Sequence, residues 1–236
     1  MSQKPTSDAK NPYIRSYGRR WTKGLRPTRE SALEEVLPQA EITLPEGDAP
    51  VDPHGFFDHP VKEVWFEIGF GNGEHVLQQA ASNPDIGLIG CEPFMNGVAA
   101  ICVGMREKKT RNIRLWPEDA RVLMDRLAPQ SLDRLFLLHP DPWPKTRHHK
   151  RRFIQTETLN SIARLLKPGA EFRMATDHPA LAGWMLDKTF HHPSFKWMAT
   201  CASDWRVPPA DWPDTRYKQK GLKQGRPPVY LIFKRV

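Results

Sequence analysis

From Val61 to Ile68 the chain reads as an apolar strand (VKEVWFEI) that runs straight into Gly69-Phe70-Gly71-Asn72-Gly73 and then into a helix from Glu74 to Ala81. No other feature narrows the possible folds so far. Glycines at a strand-to-helix turn allow positive φ and let the backbone come close to a ligand. In a doubly wound sheet that turn lies at the carboxyl edge of the strands, where ligands bind. The same alternation continues along the chain. Ile86–Cys91 (IGLIGC), Ile113–Trp116, Leu132–Leu138 (LDRLFLL), Glu171–Ala175, Phe195–Thr200 and Val229–Lys234 read as strands. Phe94–Lys109, Ala120–Leu127, Arg152–Leu166 (stopped by Lys167-Pro168-Gly169) and Pro179–Lys188 read as helices. Uninterrupted apolar strands alternating with helices at short spacing predict an α/β fold, with a mostly parallel sheet covered by helices on both faces. No internal repeat is visible.

The first 60 residues differ in kind. They are rich in Pro, Asp, Gly and basic residues, and only Ser31–Leu37 (SALEEVL) reads as helix, with Ser31 as N-cap and Glu34 three residues on. The expected division is a basic, partly mobile extension over residues 1–60 and one α/β domain over residues 61–236. Residues 1–10 are polar and carry no apolar core of a signal peptide. No apolar run reaches the ~20 residues that span a bilayer. Cys91, Cys102 and Cys201 form no CxxC pair, and three scattered cysteines give neither a disulfide framework nor a zinc site. A cytoplasmic protein without membrane attachment or an evident obligate protein partner is expected.

The net charge is +8, and it is segregated. Residues 1–30 hold eight basic side chains against Asp8 and Glu30. Lys145, Arg147, Lys150, Arg151 and Arg152 form a second block, and Arg216, Lys218, Lys220, Lys223 and Arg226 a third, neither containing an acid. The rest of the chain is net acidic. This distribution suits either a basic face for a polyanion or a set of solvated loops.

Four motifs at strand ends carry the chemistry. The first is the turn after the opening strand, with Gly69 and Gly71 as the close-approach positions. Dinucleotide enzymes use G-x-G-x-x-G in the same place. Here the spacing is G-x-G-x-G, with Glu74 where the dinucleotide motif has its last small residue, and the acid Glu67 lies inside the strand. Both features favour S-adenosyl-L-methionine, whose amino-acid end an acid at 67 would meet directly or through water. The second is Glu92, which ends the next strand and suits a ribose diol. The third is Asp119, where methyltransferases of this fold place an acid to read an adenine amine; it also suits the N-cap of the helix from Ala120. The fourth is Leu138-His139-Pro140-Asp141-Pro142-Trp143-Pro144-Lys145, whose prolines restrict the backbone on both sides of Asp141. The basic run through Arg152 follows at once. Arg147, His148, Lys150, Arg151 and Arg152 are therefore candidate RNA contacts beside the reacting site. His148-His149 and His191-His192 lack partners at metal spacing, so no metal is expected. Trp205 and Trp212, among prolines, read as packing a loop against the sheet, with an RNA-facing role as the alternative.

EIGFGNG, HPDPWPK, RHHKRR and MATDHP together resemble the bacterial tRNA (guanine-N7-)-methyltransferases, from about Tyr17 through the last strand. The resemblance implies a Rossmann-like class I methyltransferase with a seven-stranded sheet. It implies cofactor contacts at Glu67, Glu92, Asp119 and Asp141, beside the close-approach glycines Gly69 and Gly71, with Asp141 as the catalytic-site aspartate. It further implies substrate contacts at Lys145, Asp177, Thr215, Arg216, Tyr217 and Lys218, and a target in the tRNA variable loop. At one position the chain departs from the family, which has a glutamate where Lys218 stands. Another structured RNA such as rRNA, or a non-catalytic RNA-binding role, are the alternatives that the residues leave open.

Overall fold

The computed structural model describes residues 20, 24–213 and 216–236, with the side chains of residues 216–218 and 220 outside the described set. Seven strands form one sheet in the order β3-β2-β1-β4-β5-β7-β6. They are β1 (Glu63–Ile68), β2 (Ile86–Cys91), β3 (Ile113–Trp116), β4 (Leu132–Leu138), β5 (Leu166–Thr176), β6 (Phe195–Trp197) and β7 (Val229–Arg235). Neighbours from β3 to β5 pair in parallel. β7 runs antiparallel between β5 and β6. The strand order reverses between β1 and β4, which opens a crevice at their carboxyl ends.

Burial on both faces explains the unbroken apolar strands. Along β1, Val64, Phe66 and Ile68 point into one core layer and Trp65 into the other. Helices α4 (Ala120–Arg126), α5 (Thr156–Leu165) and α6 (Pro179–Phe190) cover the first face. Helices α1 (Pro27–Ala40), α2 (Glu74–Ser82) and α3 (Met95–Lys108) cover the second. Two short helices, α7 (Ser203–Arg206) and α8 (Arg216–Lys223), precede β7.

Several boundaries depart from the sequence reading. The first helix runs from Pro27 to Ala40, not Ser31 to Leu37, with proline in its first turn and Ala32 buried. Ser31 lies inside it, and its hydroxyl accepts from Arg106 of α3 (3.2 Å). Residues 24–60 therefore pack on the domain: the Ile42 amide donates to the Leu115 carbonyl (2.9 Å), and Ile42 and Phe57 join the core. The expected helix from Arg152 to Leu166 lacks its first turn. Thr146–Arg151 forms a 3₁₀ turn, and α5 begins only at Thr156, behind a capping box of Gln155 and Thr158. β6 is three residues long and ends at Trp197 rather than Thr200. None of the helices among the described residues is long and apolar enough to cross a membrane.

Candidate active site

The glycine turn is held by β2. The Gly69 amide donates to the Cys91 carbonyl (2.8 Å) and the Gly71 amide to Glu92 Oε2 (2.9 Å). Gly69 and Gly71 take φ of 71° and 59°, and a Cβ on either would meet no atom within 4 Å. Their outer face is open, as a ligand cradle requires. From behind, α3 presses close: a Cβ on Gly97 would sit 2.2 Å from the Gly71 carbonyl oxygen. Only glycine at 97 lets the helix support the turn at that distance.

Glu92 is held at both oxygens, Oε1 accepting from the Phe94 amide (2.9 Å) while Oε2 takes Gly71. Burial pushes its pKa up, the two amides pull it down, and the charge of Asp141 raises it again. The two carboxylates therefore lie within electrostatic range of each other. Asp119 caps α4 as expected, accepting from the Arg121 amide (3.0 Å). It is also gripped by the Arg121 side chain, Nε to Oδ1 (2.9 Å) and Nη2 to Oδ2 (2.7 Å). An adenine amine would share this carboxylate with a guanidinium fork.

Glu67 is not brought to the open face. It is 3% exposed, and its Oε2 accepts from His75 Nδ1 of α2 at 2.5 Å. Gln79, one turn along, donates to the Asp211 carbonyl (2.9 Å) and lies 3.4 Å from His75 Nε2, which assigns the Nδ1–H tautomer to His75. The His75 ring packs edge-on to Phe136 and beside Trp212. Glu67 thus fixes the turn from beneath and links it to residues 211–213. His75 and Gln79 went unnoticed in the sequence, although two polar residues spaced i, i+4 on an otherwise apolar helix face are a readable signal.

The proline-rich turn follows β4. His139 and Trp143 hold φ of 49° and 41°, a left-handed backbone that costs roughly 1–2 kcal/mol per residue. Such strain persists only where the surroundings hold it. The His139 amide donates to the Ala175 carbonyl (2.7 Å), and the Trp143 ring lies under the Arg151 guanidinium (5.0 Å) and edge-on to His148 (5.9 Å). Asp141 between them is exposed. Burial lowers the His139 pKa to about 4 although Asp177 opposes the shift, so the ring is neutral at pH 7.

Asp177, at the end of β5, has its Oδ1 3.9 Å from His139 Nδ1 and its Oδ2 3.6 Å from Arg226 Nη2. A Cβ on Gly221 of α8 would lie 3.6 Å from the same Oδ2, so α8 abuts this acid. Arg226 at this position was not expected. Arg216, Tyr217 and Lys218 begin α8, but their side chains are outside the described residues, as is Thr215 altogether. In the second basic block Lys145, Arg147 and Lys150 are exposed, and His148 and Arg151 are half-buried. Partial burial and then the neighbouring cations Arg151, Arg147, Lys145 and Lys150 lower the His148 pKa. Arg152 contradicts its expected role as a surface cation. It is 4% exposed, its Nε donates to the Pro142 carbonyl (3.0 Å), and its guanidinium lies over the Trp184 ring (5.1 Å).

A seven-stranded sheet of this order, with β7 antiparallel and acid-tipped strands around a glycine turn, defines a Rossmann-like class I methyltransferase. A structure with that fold, the 16S rRNA (adenine(1408)-N(1))-methyltransferase from Catenulisporales acidiphilia, superposes with a TM-score of 0.54 at 14% identity, covering 84% of this chain and 97% of that one. Residues 61–231 match the family described as "Putative methyltransferase". Over its whole length the chain is 48% identical to the tRNA (guanine-N(7)-)-methyltransferase of Rhodospirillum rubrum, covering 91% of that protein. It is 47% identical to the protein of the same name from a Ruegeria species, across 95% of this chain and 89% of the relative. The chain belongs to the tRNA (guanine-N(7)-)-methyltransferase family. It is an enzyme of the methyltransferase class, and such an enzyme works with a methyl donor.

Proposed function

We propose that this chain transfers a methyl group from S-adenosyl-L-methionine to N7 of a guanosine in the variable loop of tRNA, in the cytoplasm. The observation that carries this reading is Asp141, exposed on a strained, proline-locked turn between the glycine cradle and a row of exposed cations. The open face at Gly69 and Gly71 and the carboxylates Glu92 and Asp119 fit the cofactor's amino-acid end, ribose and adenine. When bound, S-adenosylmethionine supplies an electrophilic methyl group on a sulfonium.

Guanine N7 carries an in-plane lone pair and no proton, so the protein need not provide a general base. Its task is alignment, which supplies roughly 7–11 kcal/mol in well-oriented reactions. Asp141 and Asp177 accept hydrogen bonds from the guanine N1–H and exocyclic amine and fix the ring. Their carboxylates also stabilise the positive charge that develops on the methylated base. Exposing a stacked guanosine costs a few kcal/mol, which phosphate contacts from Lys145, Arg147 and Lys150 offset. Trp143 or Tyr217 stacks on the extruded ring. Lys218 can only donate, so it cannot make the contact of the family's glutamate. Its role is then a phosphate contact, while Thr215 and Asp177 serve to orient the base.

The test is to treat tRNA transcripts with the purified full-length protein and labelled donor, then map the modified nucleotide by cleavage at 7-methylguanosine. One labelled guanosine in the variable loop is expected. Label confined to rRNA, or to another position of guanine, would overturn the reading.

A further inference from the structure

The turn that carries Asp141 has little means of holding itself. Prolines at 140, 142 and 144 remove three of its backbone N–H groups, so it must be gripped from outside through its carbonyls and rings. Trp143 is nonetheless kept in the left-handed region. Two consecutive arginines approach this strained residue from different sides. Arg151 covers the Trp143 ring, and Arg152 donates through Nε to the carbonyl of Pro142, in the peptide that joins Pro142 to Trp143, one residue beyond Asp141.

Arg152 is itself rigidly seated. Its amide donates to the His149 carbonyl (3.0 Å), closing the 3₁₀ turn, and its own carbonyl accepts from Gln155 Nε2 (3.1 Å), which belongs to the capping box of α5. Its guanidinium rests on Trp184 of α6, whose indole N–H donates to the Ile154 carbonyl (2.8 Å). Contact with an aromatic face offsets part of the cost of burying a cation. A guanidinium enclosed in this way cannot reach a phosphate.

We propose that Arg152 is a positioning residue of methyl transfer: it clamps the Pro142 carbonyl and so holds Asp141 against the reacting base. The basic run then divides by task, with Lys145, Arg147 and Lys150 facing RNA and Arg152 facing inward. The inference rests on the proposed guanine-N7 activity.

The experiment uses full-length enzyme carrying Arg152→Met, which keeps much of the volume and removes the donor, or Arg152→Lys, which keeps charge and stem. Lys150→Ala is the control. Single-turnover methylation, tRNA affinity against salt, S-adenosylhomocysteine affinity and the thermal midpoint are measured for each. Arg152→Met should lower the single-turnover rate by about 10- to 100-fold, the scale of a small misplacement at a reacting centre. Its tRNA affinity, salt slope and S-adenosylhomocysteine affinity should match wild type. Arg152→Lys should fall between the two, and it carries the test if Arg152→Met does not fold. Lys150→Ala should instead weaken tRNA binding and make the salt slope shallower. A normal rate in both Arg152 variants, or a shallower salt slope with weakened tRNA binding, would overturn the assignment. A wild-type enzyme that methylates no guanosine N7 would instead bring down the activity on which it rests.

Discussion

Two residues at the end of β4 show how one short motif serves both chemistry and stability. Asp141 is exposed and pinned between prolines, and the proposed role has it holding the base rather than binding the polyanion. Asp141→Ala should therefore lower kcat strongly with little change in tRNA affinity, which distributed phosphate contacts set. Turnover near wild type would remove Asp141 from the mechanism. His139 acts on stability. Its folded pKa of about 4 lies below the ordinary 6.5, so as pH falls the unfolded chain takes up this proton first. The contribution is complete above pH 6.5 and is lost between 6.5 and 4, amounting to at most roughly 3 kcal/mol. His139→Asn keeps a side chain that tolerates the left-handed backbone at φ 49° and does not titrate. Urea unfolding at pH 7.5 and 5 should show the wild type losing more stability than the variant. Equal losses would mean that burial does not suppress this imidazole's charging.

Among the elements, the 3₁₀ turn at Thr146–Arg151 is where sequence and structure part most clearly. The strands and the glycine turn were legible because their signals are local: apolar runs punctuated by glycine and proline. The pattern from Arg152 to Leu166 reads as one amphipathic helix, since Phe153, Ile154 and Leu159 fit its apolar spacing, and nothing local announces the 3₁₀ turn just before it. What decides against that helix is Gln155, whose side-chain amide donates to the carbonyls of His149 and Arg152 and stops the chain before Thr156. The consequence is functional, because the turn sorts its cations by exposure. Lys150→Ala should weaken binding equally across tRNAs and reduce the slope of log affinity against log salt by about 0.7–0.9. An unchanged slope would make Lys150 a solvated side chain with no phosphate partner.

The whole molecule joins its two binding regions across the sheet face that α2 leaves open, a connection that no local pattern announces. Residues 211–213 cross that face just before the segment from Thr215 implied to hold substrate. Asp211 accepts from Arg173 on β5 at both oxygens (2.8 Å each) and from Arg134 on β4 (3.2 Å). Trp212 packs edge-on to Tyr230 of β7 and beside His75, and Gln79 holds the Asp211 carbonyl. Gln79 and Asp211 lie 132 residues apart, so the sequence shows Trp212 as loop packing or an RNA-facing ring without its partners, and Asp211 as one acid among many. Through Glu67 and His75 the same cluster supports the glycine cradle. Arg173 is almost wholly buried, whereas Asp211 is partly exposed, so solvent screens the pair and its loss costs less than that of a fully buried one. Asp211→Ala should cost roughly 1–3 kcal/mol in urea unfolding, for a buried guanidinium left short of an acceptor. It should also raise KM for tRNA more than it lowers cofactor affinity, since the strap lies nearer to α8 in the chain than to the cradle. Unchanged KM with full stability would show that the segment reaches its place without this anchor. Cofactor affinity falling further than tRNA affinity would place the strap's main work at the cradle instead.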